Sequence, residues 1–246
     1  MATLDLPVAT HANPYASSNL DHHGLVAGRV DEWGLVGKID ALIPQDLGQR
    51  HVSAGLAVKA MILIGLGFVH RALCLTPHFF QGKPVERLPG SGITAGQLND
   101  DVLGRALDAI CAFGAELFHY LPASAVVKPL GVTCAGGRLD ATGFHVDGEY
   151  NSGNDAVAEG AIPIRPGYSR GHRPDVGRAV LQLTTENQAG IPLWRVPLGG
   201  NVNGQAGFRD TVATYVGQLQ TDVGLQCLVA GSALYNEKSL QALGGA

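Results

Sequence analysis

A change of period near residue 128 constrains this chain more than any other feature. From about Asn19 to Leu121 apolar residues recur every three or four positions, as on one face of a helix. Leu25, Val26, Val30, Trp33 and Val36 follow that spacing. So do Val102, Leu103, Ala106, Leu107, Ile110 and Phe113, in a helix expected to begin near Asn99. Between them lies AGLAVKAMILIGLGFV, residues 54–69, apolar on almost every side, with Ser53 placed to cap it. This run has sixteen residues, three glycines and Lys59. It is short for a membrane span, so a buried helix is expected. Pro77 and PGSG at 89–92 mark turns.

After about Lys128 the apolar residues alternate or run together. Residues 137–147 read as a strand, and residues 151–177, rich in Gly, Pro, Ser and Asn, as a long loop. RAVLQLTTENQAGIPLWRVPL, residues 178–198, is two apolar arms about a turn-like ENQAG, a hairpin signal. Pro192 and Pro197 make its second arm an edge strand or a ragged one. Phe208, Val212, Tyr215, Val216, Leu219 and Val223 share a helical face over 205–223. LQCLVAG, residues 225–231, is a short apolar run of the kind found in buried strands, and a helix start follows at Ser232. The expected fold class is therefore α+β: a helical N-terminal domain, then a partial, mixed α/β domain. Strand, hairpin, helix, buried strand and helix, in that order, suit three antiparallel strands joined by a parallel one, as in ribonuclease-H-like domains.

The totals exclude little. Hydrophobic content of 46% and charged content of 15% suit a folded domain rather than a disordered chain. A net charge of −4 offers no global attraction to nucleic acid, so any such partner needs a local basic surface. Cys74, Cys111, Cys134 and Cys227 form no CxxC pair, so neither a zinc site nor a disulfide framework is expected, and a reducing cytosol is the expected compartment. MATLDLPVATHANPYASS lacks the basic start and apolar run of a secretory signal, and residues 1–18 read as a tail.

Candidate chemistry centres on RLDATGFHVDGEY, residues 138–150, where Asp140 stands between Leu139 and Ala141. A carboxylate inside an apolar strand is costly to bury without compensation. By residue type alone it is either a metal ligand or a structural group bonded to nearby backbone. Asp147-Gly148 is a turn signal, and His145 a partly exposed strand residue. From Arg165 to Arg209 there are six Arg against two acidic residues, a local excess of +4. Within it Arg165, Arg170, His172, Arg173 and Arg178 are candidate phosphate contacts, and Tyr168 either stacks on a base or packs. A solvated loop is the plainer alternative for this segment. Neighbouring His22 and His23 do not share a helix face and are expected at the surface rather than on a metal.

Several strings resemble one family. NLDHHGLVAGRVDEWGLVGKIDALIP and VSAGLAVKAMILIGLGFVHRALCLTPHFFQGKPVERLPGSGITAGQLNDDVLGRALD resemble the start and centre of a helical N-terminal domain of the DUF4277 type. LDATGFHVDGEY, GYSRGHRPDVGRAVLQL and LVAGSALYNEKSLQAL are similar to three segments that follow it in bacterial insertion-sequence DDE transposases of the insertion-sequence-four-like superfamily. The resemblance runs from about residue 19 onward. It implies a DUF4277-like domain over 19–128, a partial ribonuclease-H-like catalytic domain over 129–246, magnesium, and cutting and joining of double-stranded DNA at transposon ends.

By that resemblance Asp140 is the first catalytic carboxylate and metal ligand. The second falls on Gly231, where relatives read Asp-Ser-Ala-Leu-Tyr, and the third falls beyond Ala246. Gly171 likewise stands where Asp is usual, and Leu198-Gly199-Gly200-Asn201 replaces Leu-Asp-Gly-Asn. The expectation is an inactive, C-terminally truncated copy. The alternative is a non-catalytic remnant that binds DNA or forms a homodimer through its helical domain.

Overall fold

The computed structural model describes residues 17–44, 51–66, 72–114, 116–147, 162–167, 175–201 and 215–231. The helical part opens with α1 (Asp21–Glu32) and α2 (Leu35–Leu42). The apolar spacing across 25–37 therefore belongs to two helices. Gly34 breaks them apart by adopting φ +63°, a left-handed conformation that suits glycine. The buried face of α1 is His23, Ala27 and Val30, while Leu25 is 80% exposed. His23, expected at the surface, instead packs edge-on against Phe79, because it shares the face of Ala27 and Val30.

The apolar run forms α3 (Ala54–Gly65), capped by Ser53, whose hydroxyl accepts the Leu56 N–H at 3.1 Å. Residues 67–69 of the expected helix lie outside the described residues. Helix α3 is the axis of the main core, with Ala57, Ala60 and Leu63 packed among Phe80, Leu88, Leu98 and Leu103. Gly55 lets α3 cross α2 at close range: a Cβ there would lie within 2.9 Å of the Val36 Cα and closer still to its carbonyl oxygen. Buried Lys59 donates to the Asp31 carboxylate at 2.5 Å, tying α3 to α1. Ser53→Ala is expected to cost about 1 kcal/mol in urea denaturation, the usual value of an N-cap oxygen.

Short α4 (Thr76–Phe80) has Pro77 in its first turn, and α5 (Asp100–Phe113) is capped by Asn99, whose side-chain oxygen accepts the Val102 N–H at 3.0 Å. Next, α6 (Glu116–Pro122) runs through a π-turn (Ala123–Val127) into α7 (Lys128–Leu130). No single helix among the described residues is long and apolar enough to cross a membrane.

The sheet holds β1 (Gly136–Val146), β2 (Gly177–Glu186), β3 (Pro192–Gly199) and β4 (Cys227–Ala230), in the order β3-β2-β1-β4. The first three strands are antiparallel, and β4 runs parallel to β1. This is the mixed α+β arrangement expected from the change of period. Pro192 and Pro197 lie in β3, at the end of the strand order, and the ladder shifts register at Thr184/Thr185. The β2–β3 turn is closed by buried Glu186, whose carboxylate accepts the N–H groups of Gln188 and Ala189 at 2.5 and 2.6 Å.

Residues 215–223 form a helix, α8, on one face of the sheet. It is the described part of the helix expected over 205–223; the helix expected from Ser232 lies outside the described residues. Tyr215 and Leu219 pack with Leu193, Trp194 and Leu225, and Val216 with Leu139, Ala141 and Leu228.

Helix α6 joins the two parts. Leu117 packs into the helical core with Ile39, Ile43 and Ile110. Next to it, the Phe118 ring lies under the Arg195 guanidinium of β3, 3.0 Å from ring centroid to Cζ. His119 is buried against Trp194 and reaches the Leu193 carbonyl and the Asp222 carboxylate at 3.1 and 2.7 Å.

Candidate functional site

Alternation along β1 sorts its side chains. Gly137, Leu139 and Ala141 face α8, and Leu139 is only 2% exposed. Arg138, Asp140, Thr142 and Phe144 take the opposite face, and all four are exposed. Asp140 is therefore not the buried carboxylate that its apolar neighbours suggest, and it needs no buried partner to offset desolvation. One of its oxygens, Oδ1, accepts the Ala141 N–H at 2.8 Å.

The parallel ladder between β1 and β4 pairs Gly136, Gly137, Arg138 and Leu139 with Cys227, Leu228, Val229 and Ala230. One further step of that register sets Gly231 beside Asp140. Gly231 is exposed, and a Cβ built on it meets nothing within 4 Å. Its φ is not among the positive values found at other glycines. A side chain at 231 would therefore fit without strain.

Among the described residues the donor set around Asp140 does not suit a two-metal centre, which needs several oxygen ligands. Among the described residues no three His, Cys, Asp or Glu side chains group so as to hold a metal ion.

In the other direction Asp140 pairs with Leu183 of β2, and Leu183 with Arg195 of β3. Arg195, Leu183 and Asp140 thus form one row across the sheet, which Gly231, just past the end of β4, extends by one further step of the β1–β4 register. The Arg195 guanidinium is stacked on Phe118, and its Nε has no hydrogen-bond partner. Burial lowers its pKa from the ordinary arginine value. Arg195 and Phe118 together wall two apolar grooves of about 720 and 620 Å³, one toward α3 and α5, the other under Trp33 and the β2–β3 turn.

Two of the candidate phosphate contacts, Arg165 and Arg178, lie among the described residues. Arg165 and Arg178 form an isolated backbone bridge, with N–H to carbonyl distances of 3.4 and 3.0 Å. Arg178 pairs with His145, which puts it on the α8 face, opposite to Asp140. It is 8% exposed, and its guanidinium lies over Gly143, where a Cβ would clash with Nη2. Arg178 therefore has little surface to offer a phosphate. Tyr168, Arg170, His172 and Arg173 lie outside the described residues. His145 is exposed, as its place in the strand suggests.

Arg138 and Arg195 were not singled out by the sequence. The available signal was the two-residue step from Arg138 to Asp140, which sets them on one strand face; Arg195 shares that face only through the register of two ladders.

The α8 face is held by polar as well as apolar contacts. Tyr215 stacks on Trp194 at 4.6 Å, and its hydroxyl meets the Thr184 hydroxyl at 3.0 Å. Burial pushes the Tyr215 phenol up to about 12, partly countered by the Thr184 hydrogen bond. Burial likewise raises the Cys134 thiol, with nearby Glu186 adding to the effect.

No curated protein and no solved structure matches the chain. Residues 15–122, which hold α1 to α6, match the family described as Domain of unknown function (DUF4277).

Proposed function

We propose that this chain derives from an insertion-sequence DDE transposase, which cuts and joins double-stranded DNA at transposon ends with divalent metal, and that its catalytic carboxylate pair is broken at Gly231. One observation carries the reading. The residue that the parallel register sets beside Asp140 is a glycine, at the address where the resemblance puts the second carboxylate. The strand order and the DUF4277 match over residues 15–122 support the same ancestry. A single carboxylate does not hold two cations, so the expected activity is nil. With supercoiled plasmid and millimolar Mg2+ or Mn2+, nicking is expected to stay at the level of the Asp140→Asn variant. Asp140-dependent nicking would contradict the proposal.

A second reading, a DNA-binding remnant without catalysis, is favoured by the two arginines on the Asp140 face. Neither Arg138 nor Arg195 enters an ion pair among the described residues. Salt-sensitive retention of duplex DNA together with no nicking is the result that separates it from a chain with no nucleic-acid role at all.

A further inference from the structure

We infer that the open sheet face around Asp140 binds single-stranded nucleic acid, with Arg138 and Arg195 on backbone phosphates and Phe144 stacked on a base. The inference rests on the nucleic-acid reading above and places the contacts on the Asp140 face of the sheet.

Three observations lead there. Arg138, Asp140, Thr142 and Phe144 share one face by the period of the strand, and the register adds Arg195 in the row of Asp140. Arg138 lies about 7 Å from Asp140 along β1, and Arg195 about 10 Å away across two strand spacings, by standard sheet dimensions. Two cations therefore flank one carboxylate, and that face carries no other acidic side chain among the described strand residues.

Phe144 is 50% exposed on this face, an unusual place for a large apolar ring. Exposed aromatics interleaved with cations are the chemistry of a single-strand platform, because every base has a face to stack while the cations follow the backbone. Arg195 is also pre-positioned: stacking on Phe118 fixes the plane of its guanidinium, which enters no ion pair among the described residues. A planar, held guanidinium is a good fork for phosphate oxygens. An acidic protein segment would satisfy the arginines equally but gives the exposed ring no role.

The test uses the full chain and a fluorescent oligo-dT 20-mer, titrated over a series of salt concentrations. Arg138→Gln and Arg195→Gln are each expected to flatten the slope of log affinity against log salt by about 0.7, one phosphate contact on a single strand. Phe144→Ala is expected to weaken binding roughly tenfold, as loss of one stacked base does. Arg105→Gln, at an exposed position of α5, is the control and should leave both unchanged. Should Arg195→Gln melt early, Arg195→Lys replaces it and should keep the slope, while exposed Arg138 carries the test alone. Binding that persists unchanged in all three face variants overturns this inference and leaves the nucleic-acid reading standing. Equal or tighter binding of poly-glutamate overturns it in favour of an acidic protein partner. No binding of oligo-dT or duplex even at low salt overturns both.

Discussion

His119→Ala is expected to lower the unfolding free energy by about 2–4 kcal/mol, the largest stability loss of any change considered for this chain. Both acceptors of His119, the Leu193 carbonyl and the Asp222 carboxylate, can only accept. Nδ1 therefore donates to the Leu193 carbonyl. Removing the side chain takes the imidazole partner from the Leu193 carbonyl at a buried position, which costs about 1–3 kcal/mol. It also strips the ring packed 4.6 Å from Trp194. The Asp222 bond adds less, because that carboxylate is 37% exposed and partly screened. Because α6 belongs to the helical part and Leu193 and Asp222 to the sheet part, the loss falls on their joint. Urea denaturation of His119→Ala, Asp222→Ala and the double variant checks this: the two changes should be clearly non-additive. Additive losses would mean that the pair contributes nothing as a pair.

Gly231→Asp carries the largest expected gain. The substitution meets no steric barrier, since a Cβ at 231 finds open space and the backbone is not left-handed there. Stability without metal is expected to change by less than about 0.5 kcal/mol, as for surface changes in general. What changes is the chemistry. Two carboxylates on neighbouring parallel strands, in register, form an oxygen pair suited to a hard divalent cation. For a sparse site with dissociation constant on the order of 1 mM, 10 mM Mg2+ would stabilise the variant by about 1.4 kcal/mol. The parent chain should show no such response.

Much of the frame was legible because it rests on short-range signals. Ser53 and Asn99 announce the starts of α3 and α5 through their capping oxygens. ENQAG announces the β2–β3 turn, and the prolines of its second arm announce an edge strand. What stayed hidden depends on tertiary pairing. Nothing local tells that His23 faces Phe79 rather than water, or that the 25–37 pattern breaks at Gly34.

The site shows the same division. Asp140 was visible as an anomaly in an apolar strand, but its exposure depends on which face α8 covers. Arg178 looked like a surface cation because its neighbours in sequence are basic. The ladder turns it toward the covered face instead. Arg195 lies 55 positions from Asp140 in sequence and joins its row only through two ladders.

The central claim is that Asp140 and Gly231 mark a carboxylate pair with one member missing. The most direct measurement is a Mn2+ titration of three proteins by electron paramagnetic resonance, which counts free and bound ion. The parent chain is expected to bind no Mn2+ saturably up to a few millimolar, Gly231→Asp to bind close to one ion per chain, and Gly231→Asp with Asp140→Asn to lose it. Saturable, Asp140-dependent binding by the parent chain, or a folded Gly231→Asp variant that binds none, would contradict the account.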